Sequence, residues 1–237
     1  MKVGLFIPCY IDQLYPQVGI ATLQLLEKLG TSVAFPASQT CCGQPMANAG
    51  FEHLTPVCTT NFLENFSPFQ YIVCPSGSCT LHLKEQLHGE PLSRRVFELT
   101  EFLTDVMEVK QLASYFPHRV GLHQGCHGLR GLNLASMSER VLPPFSKPVQ
   151  LLKLVKGVDL VPLQLPDECC GFGGTFSVME DAVSARMGID RVRDHEQAGA
   201  EYITSADMSC LMHLEGIIKR QRSTLKVIHL AEILNAS

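Results

Sequence analysis

The chain carries one pattern twice, and that internal repeat limits its fold more than any other feature of its 237 residues. Lys2-Val3-Gly4-Leu5 followed by Cys9 returns as Arg119-Val120-Gly121-Leu122 followed by Cys126. Cys41-Cys42-Gly43 returns as Cys169-Cys170-Gly171, and Tyr71-Ile72 with Ser78-Cys79 returns as Tyr202-Ile203 with Ser209-Cys210. Val96, Leu99, Glu101 and Leu103 match Val227, Leu230, Glu232 and Leu234. The separation between equivalent residues grows up to Cys79 and Cys210 and then stays constant, so the insertions of the second copy precede Cys210. Four matches in one order predict two homologous domains, residues 1–115 and 116–237, joined near Tyr115-Phe116-Pro117.

Hydrophobic patterning fills in each copy. Strands are expected at residues 3–7, 32–35 and 71–74, and in the second copy near 120–123, 158–162 and 202–204. Helices are expected over 20–29, stopped by Gly30, over 51–66, and over 177–197 after Gly171-Phe172-Gly173-Gly174. Strands alternating with helices imply an α/β fold, a small, mostly parallel sheet flanked by helices in each half. Ligands of such sheets gather beyond the carboxyl ends of strands, where the matched cysteines fall. One site in each half is expected.

Ten cysteines are far below the roughly 8 to 10% of a disulfide scaffold. Eight of them are matched: Cys9, Cys41, Cys42 and Cys79 in the first half, Cys126, Cys169, Cys170 and Cys210 in the second. Four soft thiolates suit a cubane iron-sulfur cluster or zinc rather than magnesium or calcium. Zinc modules usually pair their ligands as C-x-x-C, which the chain lacks, so two 4Fe-4S clusters are the expectation and zinc the alternative. Cys58 and Cys74 have no cysteine counterpart and read as buried apolar thiols. Vicinal disulfides at Cys41-Cys42 and Cys169-Cys170 are geometrically disfavoured. Gly43 and Gly171 let the backbone turn tightly, and the amides of Gly173 and Gly174 are candidate donors to cluster sulfur. His123, His127 and His213 read as structural histidines. Asp207 reads first as a cap or turn residue and second as an oxygen ligand or proton donor, with Ser76 in the matching place.

The doubled order of an early Cys, Cys-Cys-Gly and a later Cys resembles the cysteine-rich CCG domain of iron-sulfur oxidoreductases, a superfamily that includes heterodisulfide reductases and the iron-sulfur component of glycolate oxidase. Cys41-Cys42-Gly43-Gln44-Pro45, Pro75-Ser76-Gly77-Ser78-Cys79, the run Cys169 to Ser177 and the ending Val227 to Leu234 resemble the lactate utilisation protein A family, across essentially the whole chain. The resemblance implies oxidation of L-lactate or a related 2-hydroxy acid to pyruvate, with a companion iron-sulfur protein and a third protein as partners. It implies an iron-sulfur oxidoreductase subunit, active with those partners, whose cluster ligands are the eight matched cysteines. The wider superfamily ends its motif with C-x-x-C. Ser76 and Asp207 replace the first cysteine of that pair, which speaks against five-thiolate, non-cubane clusters. The alternatives are a zinc-stabilised scaffold subunit of a dehydrogenase complex and a thiol-disulfide reductase of the heterodisulfide type.

A net charge of -4 with scattered Lys and Arg gives no footprint for nucleic acid. No apolar run approaches the roughly 18 residues of a membrane span, and MKVGLFIPCY reads as a first strand rather than a signal peptide. A cytoplasmic protein is expected.

Overall fold

The computed structural model describes residues 1–141 and 143–236. Two four-stranded, all-parallel sheets with the same strand order form its centre. The first holds β1 (Lys2–Leu5), β2 (Ser32–Ala34), β3 (Tyr71–Cys74) and β4 (Val96–Glu98) in the order β2-β1-β3-β4. The second holds β5 (Arg119–Leu122), β6 (Asp159–Leu160), β7 (Tyr202–Ser205) and β8 (Lys226–His229) in the order β6-β5-β7-β8. Even the register repeats, with Gly4 opposite Ile72 in one sheet and Gly121 opposite Ile203 in the other. Both central strands are buried on both faces, which is why they read as short apolar runs without alternation.

The helices of the first copy are α1 (Cys9–Leu14), α2 (Pro16–Lys28), α3 (Gln44–Asn48), α4 (Pro56–Phe66), α5 (Gly77–Gln86) and α6 (Leu99–Glu101). Those of the second are α7 (Lys147–Leu152), α8 (Phe176–Met179), α9 (Asp181–Gln197), α10 (Met208–Gln221) and α11 (Leu230–Asn235). Two expected boundaries shift for local reasons. The segment 51–66 becomes a helix only from Pro56, which occupies the first helical position where its missing N–H costs nothing; a short 3-10 turn, Glu52–Leu54, precedes it. The segment 177–197 is broken at Glu180, whose backbone leaves the helical region and starts α9 with Asp181 in its first turn. An acidic pair there complements the positive end of a new helix.

The two copies share one core. Val3, Leu5, Leu25 and Leu26 of the first pack in the same cluster as Val120, Leu211, Leu230, Ile233 and Leu234 of the second. The α2 and α11 helices form the seam, tied at its edge by Asn235 Nδ2 donating to Gln24 Oε1 at 2.8 Å. Each fully buried leucine contributes about 2 kcal/mol, so parting the copies would expose a large share of the stabilising surface. The first copy adds a second core in which Phe6, Phe62, Phe66 and Phe69 pack ring against ring, Phe6 edge-on to Phe62 and Phe66. Among the described residues, no helix is long and apolar enough to cross a membrane.

Candidate metal centre

Every matched cysteine lies beyond the carboxyl end of a parallel strand. Cys9 and Cys79 sit in the first turns of α1 and α5, and Cys210 in the first turn of α10. Cys126 opens a π-helical turn, His127–Gly131. Cys41-Cys42 and Cys169-Cys170 follow β2 and β6 and end on glycines in the left-handed region, Gly43 at φ 94° and Gly171 at φ 88°. This turn aims amides back at sulfur: Gly43 N–H donates to Cys41 Sγ and Gly171 N–H to Cys169 Sγ, both at 3.4 Å. Phe172 N–H reaches Cys170 Sγ at 3.5 Å. A Cβ on Gly171 would lie 2.7 Å from Ser184 O and from Met187 Cβ, so α9 leaves no room for a side chain.

In the first half Cys9 Sγ lies 3.5 Å from Cys41 Sγ, and Cys42 Sγ lies 3.4 Å from Cys79 Sγ. In the second half the Cys170 and Cys210 sulfurs lie within 4.8 Å of one another, and Cys126 and Cys170 are the thiols that act on Cys169. Both quartets open into one cavity of about 280 Å³, walled also by Tyr10, Gln44, Asn48, His127 and the Phe172–Thr175 turn. Thr175 Oγ1 closes the rim across the two halves by donating to Asn48 O at 3.0 Å. All ten cysteines are free thiols, so the vicinal pairs are not disulfides. Cys58 and Cys74 are buried and do not line the cavity.

Asp207 is the tie between the halves. It caps α10, its Oδ1 accepting from Ser209 N–H at 3.2 Å and Ser209 Oγ at 2.7 Å. Its Oδ2 accepts from Ser78 N–H of the first half at 2.7 Å, and the Tyr10 hydroxyl, 3.2 Å from Oδ1, closes the network. With both oxygens engaged, Asp207 acts as a cap and bracket rather than an oxygen ligand. Ser76, its counterpart, caps α5 within its own half by accepting from Cys79 N–H at 3.3 Å. Asp207→Ala is expected to lower the unfolding free energy by about 3 kcal/mol, since charge-assisted bonds are each worth ~1.5 to 3 kcal/mol. Ser76→Ala should cost about 1 kcal/mol, the usual loss of a cap. Urea titrations of the two variants check the difference.

The family model of the CCG cysteine-rich domain matches residues 3–84 and again residues 120–215. Lactate utilization protein A of Geobacillus kaustophilus (strain HTA426) is 40% identical over 100% of this chain and 99% of its own length. The protein of the same name from Geobacillus thermodenitrificans (strain NG80-2) is 39% identical over 99% of each chain. The chain belongs to the lactate utilization protein A family, built from two CCG cysteine-rich domains. Among solved structures, a hypothetical protein from Helicobacter pylori shares the fold at a TM-score of 0.62 and 13% identity, over 98% of this chain and 48% of that one. This chain thus spans about half the length of that structure.

Within the CCG frame the thiols are electrostatically unequal. Cys41 is pulled down to about 2 by thiol hydrogen bonds from Cys42 and Cys9, helped by the Gly43 amide against the cost of burial. Cys169 is pulled down to about 2 by Cys126 and Cys170 with the Gly171 amide in the same role. Their donors move the other way: Cys9 and Cys42 are raised by bonding to Cys41, and Cys126 and Cys170 by bonding to Cys169, with burial adding to each. Cys41 and Cys169 are thus the most readily ionised of these thiols, and taking up a metal would release protons from their raised donors. Four sulfur donors, amides aimed at sulfur and a partly dry wall fit a thiolate-bound metal group. Gly173 and Gly174 line the cavity, while the amides that bond to sulfur are those of Gly43, Gly171 and Phe172.

The histidines divide. His213 Nε2 approaches Ser184 O at 3.4 Å and serves packing, as expected from sequence. His127 lines the cavity with its Nδ1 3.8 Å from Cys126 Sγ. His123, read from sequence as structural, is buried with a ring nitrogen within 4.8 Å of the Cys170 and Cys210 sulfurs. Its place at the end of β5, three residues before Cys126, was the available signal; its neighbours come from segments far along the chain.

Proposed function

We propose that the eight cysteines hold two 4Fe-4S clusters, Cys9, Cys41, Cys42 and Cys79 the first and Cys126, Cys169, Cys170 and Cys210 the second. The division into domains 1–115 and 116–237 belongs to the same reading. The observation that carries it is the convergence of two equivalent thiol quartets on one cavity in a chain of the lactate utilization protein A family. Such clusters supply one-electron redox chemistry. The chain is then a cytoplasmic oxidoreductase subunit that takes electrons released when L-lactate becomes pyruvate, alongside a companion iron-sulfur protein and a third protein. Oxidation of a 2-hydroxy acid yields two electrons, and two quartets on one cavity suit their separate acceptance. The protein's own residues hold the thiolates, exclude water with Phe172 and Met212, and bracket the halves through Asp207.

A second reading rests on sulfur spacing. The 3.4 and 3.5 Å contacts approach the roughly 3.8 Å edge of a zinc tetrahedron with bonds of about 2.3 Å. Zinc would make the chain a scaffold. The functional test is anaerobic mixing of the metal-loaded chain and its two companion proteins with L-lactate, followed by electron paramagnetic resonance. Reduced-cluster signals from this chain support the proposal. Their absence, in a sample that dithionite still reduces, contradicts it.

A further inference from the structure

The two quartets have matching thiols but unlike supports. In the first half, Phe6 after β1 packs against Phe62 and Phe66 of α4, at ring distances of 5.4 and 5.6 Å. In the second half the equivalent place after β5 is His123, and the helix matching α4 presents Arg191 and His195 at the same four-residue spacing. Two glycines fix the equivalence: a Cβ on Gly4 would meet Phe69 and Phe66, and a Cβ on Gly121 would meet His195. An apolar aromatic triad below one quartet is thus replaced by two imidazoles and a guanidinium below the other.

That replacement is costly unless it is used. Arg191 is fully buried, paired with Asp194 at 3.2 Å and bonded to the Leu165 carbonyl, and its Nε has no partner. The Asp194 carboxylate also accepts from the Gln164 and Leu165 amides at 3.0 and 3.1 Å, which fixes the ion pair in place. Both His123 ring nitrogens lack partners, although the ring is buried beside Cys170 and Cys210. An imidazole carries at least one ring N–H in either of its forms, so the ring has a donor to give. A buried donor beside a thiolate-bound metal favours the more negative, reduced state.

We propose that His123 makes the centre held by Cys126, Cys169, Cys170 and Cys210 the higher-potential of the two. An electron leaving the first centre oxidises it by one and reduces the second by one, so the second is where electrons collect before they leave the chain. This rests on the iron-sulfur reading. His123 acts through the thiolates it faces and is a tuning residue, not a ligand. The first centre has a buried histidine, His82, at the Gly43 turn, but its counterpart in the second half is His213, so His123, where the first half has Phe6, is the unmatched donor.

The test is a potentiometric titration of the full, cluster-loaded chain followed by electron paramagnetic resonance, with iron and sulfide measured on each sample. Wild type should show two separate potentials. His123→Phe, which installs the residue the first half carries, should lower the upper one by at least a tenfold change in the oxidised-to-reduced ratio, about 59 mV for one electron. The lower potential and the iron content should stay unchanged. His123→Gln, which keeps a donor, should fall between the two. A single shared potential in wild type, unmoved potentials in His123→Phe, or loss of iron from that variant would each overturn the proposal, the last by making His123 a ligand. Wild type carrying zinc without sulfide would overturn the iron-sulfur reading itself, and metal analysis separates that failure from the others.

Discussion

Exchanging Glu98 for glutamine should make the protein gain stability over wild type as pH rises from 5 to 7.5, by about 2 kcal/mol across that window. Glu98 caps α6, its Oε2 accepting from Thr100 N–H at 2.7 Å and from Glu101 N–H at 3.3 Å, and it is fully buried. Burial raises its carboxyl to about 7 despite the Thr100 and Glu101 bonds. A raised acid stabilises the fold below its unfolded value near 4.5, and that contribution is lost as pH climbs through 7, at about 1.4 kcal/mol per pH unit. Glutamine cannot ionise, so the loss disappears. The equivalent cap in the second half is His229, whose Nδ1 accepts from Ala231 N–H at 3.1 Å while Nε2 lies near the Ala206 and Pro75 carbonyls without a well-aligned bond. Burial lowers His229 to about 4. A depressed histidine stabilises above its unfolded value near 6.5 and loses that contribution as pH falls towards 4. Two equivalent caps thus pull in opposite directions, and replacing His229 by Gln should reduce acid sensitivity where replacing Glu98 increases it. Urea unfolding at pH 5 and 7.5 distinguishes the signs. Parallel curves for the Glu98 variant and wild type would refute the assignment.

Cysteine replacement has the largest expected effect on metal content. Cys42→Ala and Cys170→Ala should each remove about half of the bound iron, because each deletes one of the four donors a cubane uses. Cys58→Ala should leave iron intact, since this buried thiol lies off the cavity. The shared cavity adds a second expectation. Removing one centre leaves an apolar space beside the other, so the surviving iron should become more accessible to a chelator. Iron loss from Cys58→Ala with full retention in Cys42→Ala would reverse the ligand assignment.

The sheets and quartets were legible because the repeat marks both at once: strand, cysteine and glycine recur together, and β3 falls on the expected residues 71–74. The α5 helix was harder to see. The first turn of α5, Gly77-Ser78-Cys79, carries a weak apolar stripe and is announced by its cap Ser76, while α10 shows Met208, Leu211, Leu214 and Ile218 on one face behind its cap Asp207. Asp207 was readable as a cap, yet its bond to Ser78 depends on how the two halves meet. The same holds for the single cavity. A repeat predicts two equal sites and says nothing of their facing one another. His123 escaped because its significance comes from Arg191, Cys170 and Cys210, which lie far along the sequence and meet it only in the fold.

The paired quartets are expected to carry iron and sulfide. Iron, zinc and acid-labile sulfide should be counted per chain on protein purified without oxygen, with electron paramagnetic resonance before and after dithionite. About eight irons and eight sulfides, in two cubanes, are the predicted result. Stoichiometric zinc with no sulfide would contradict it and leave the chain a thiolate-zinc scaffold.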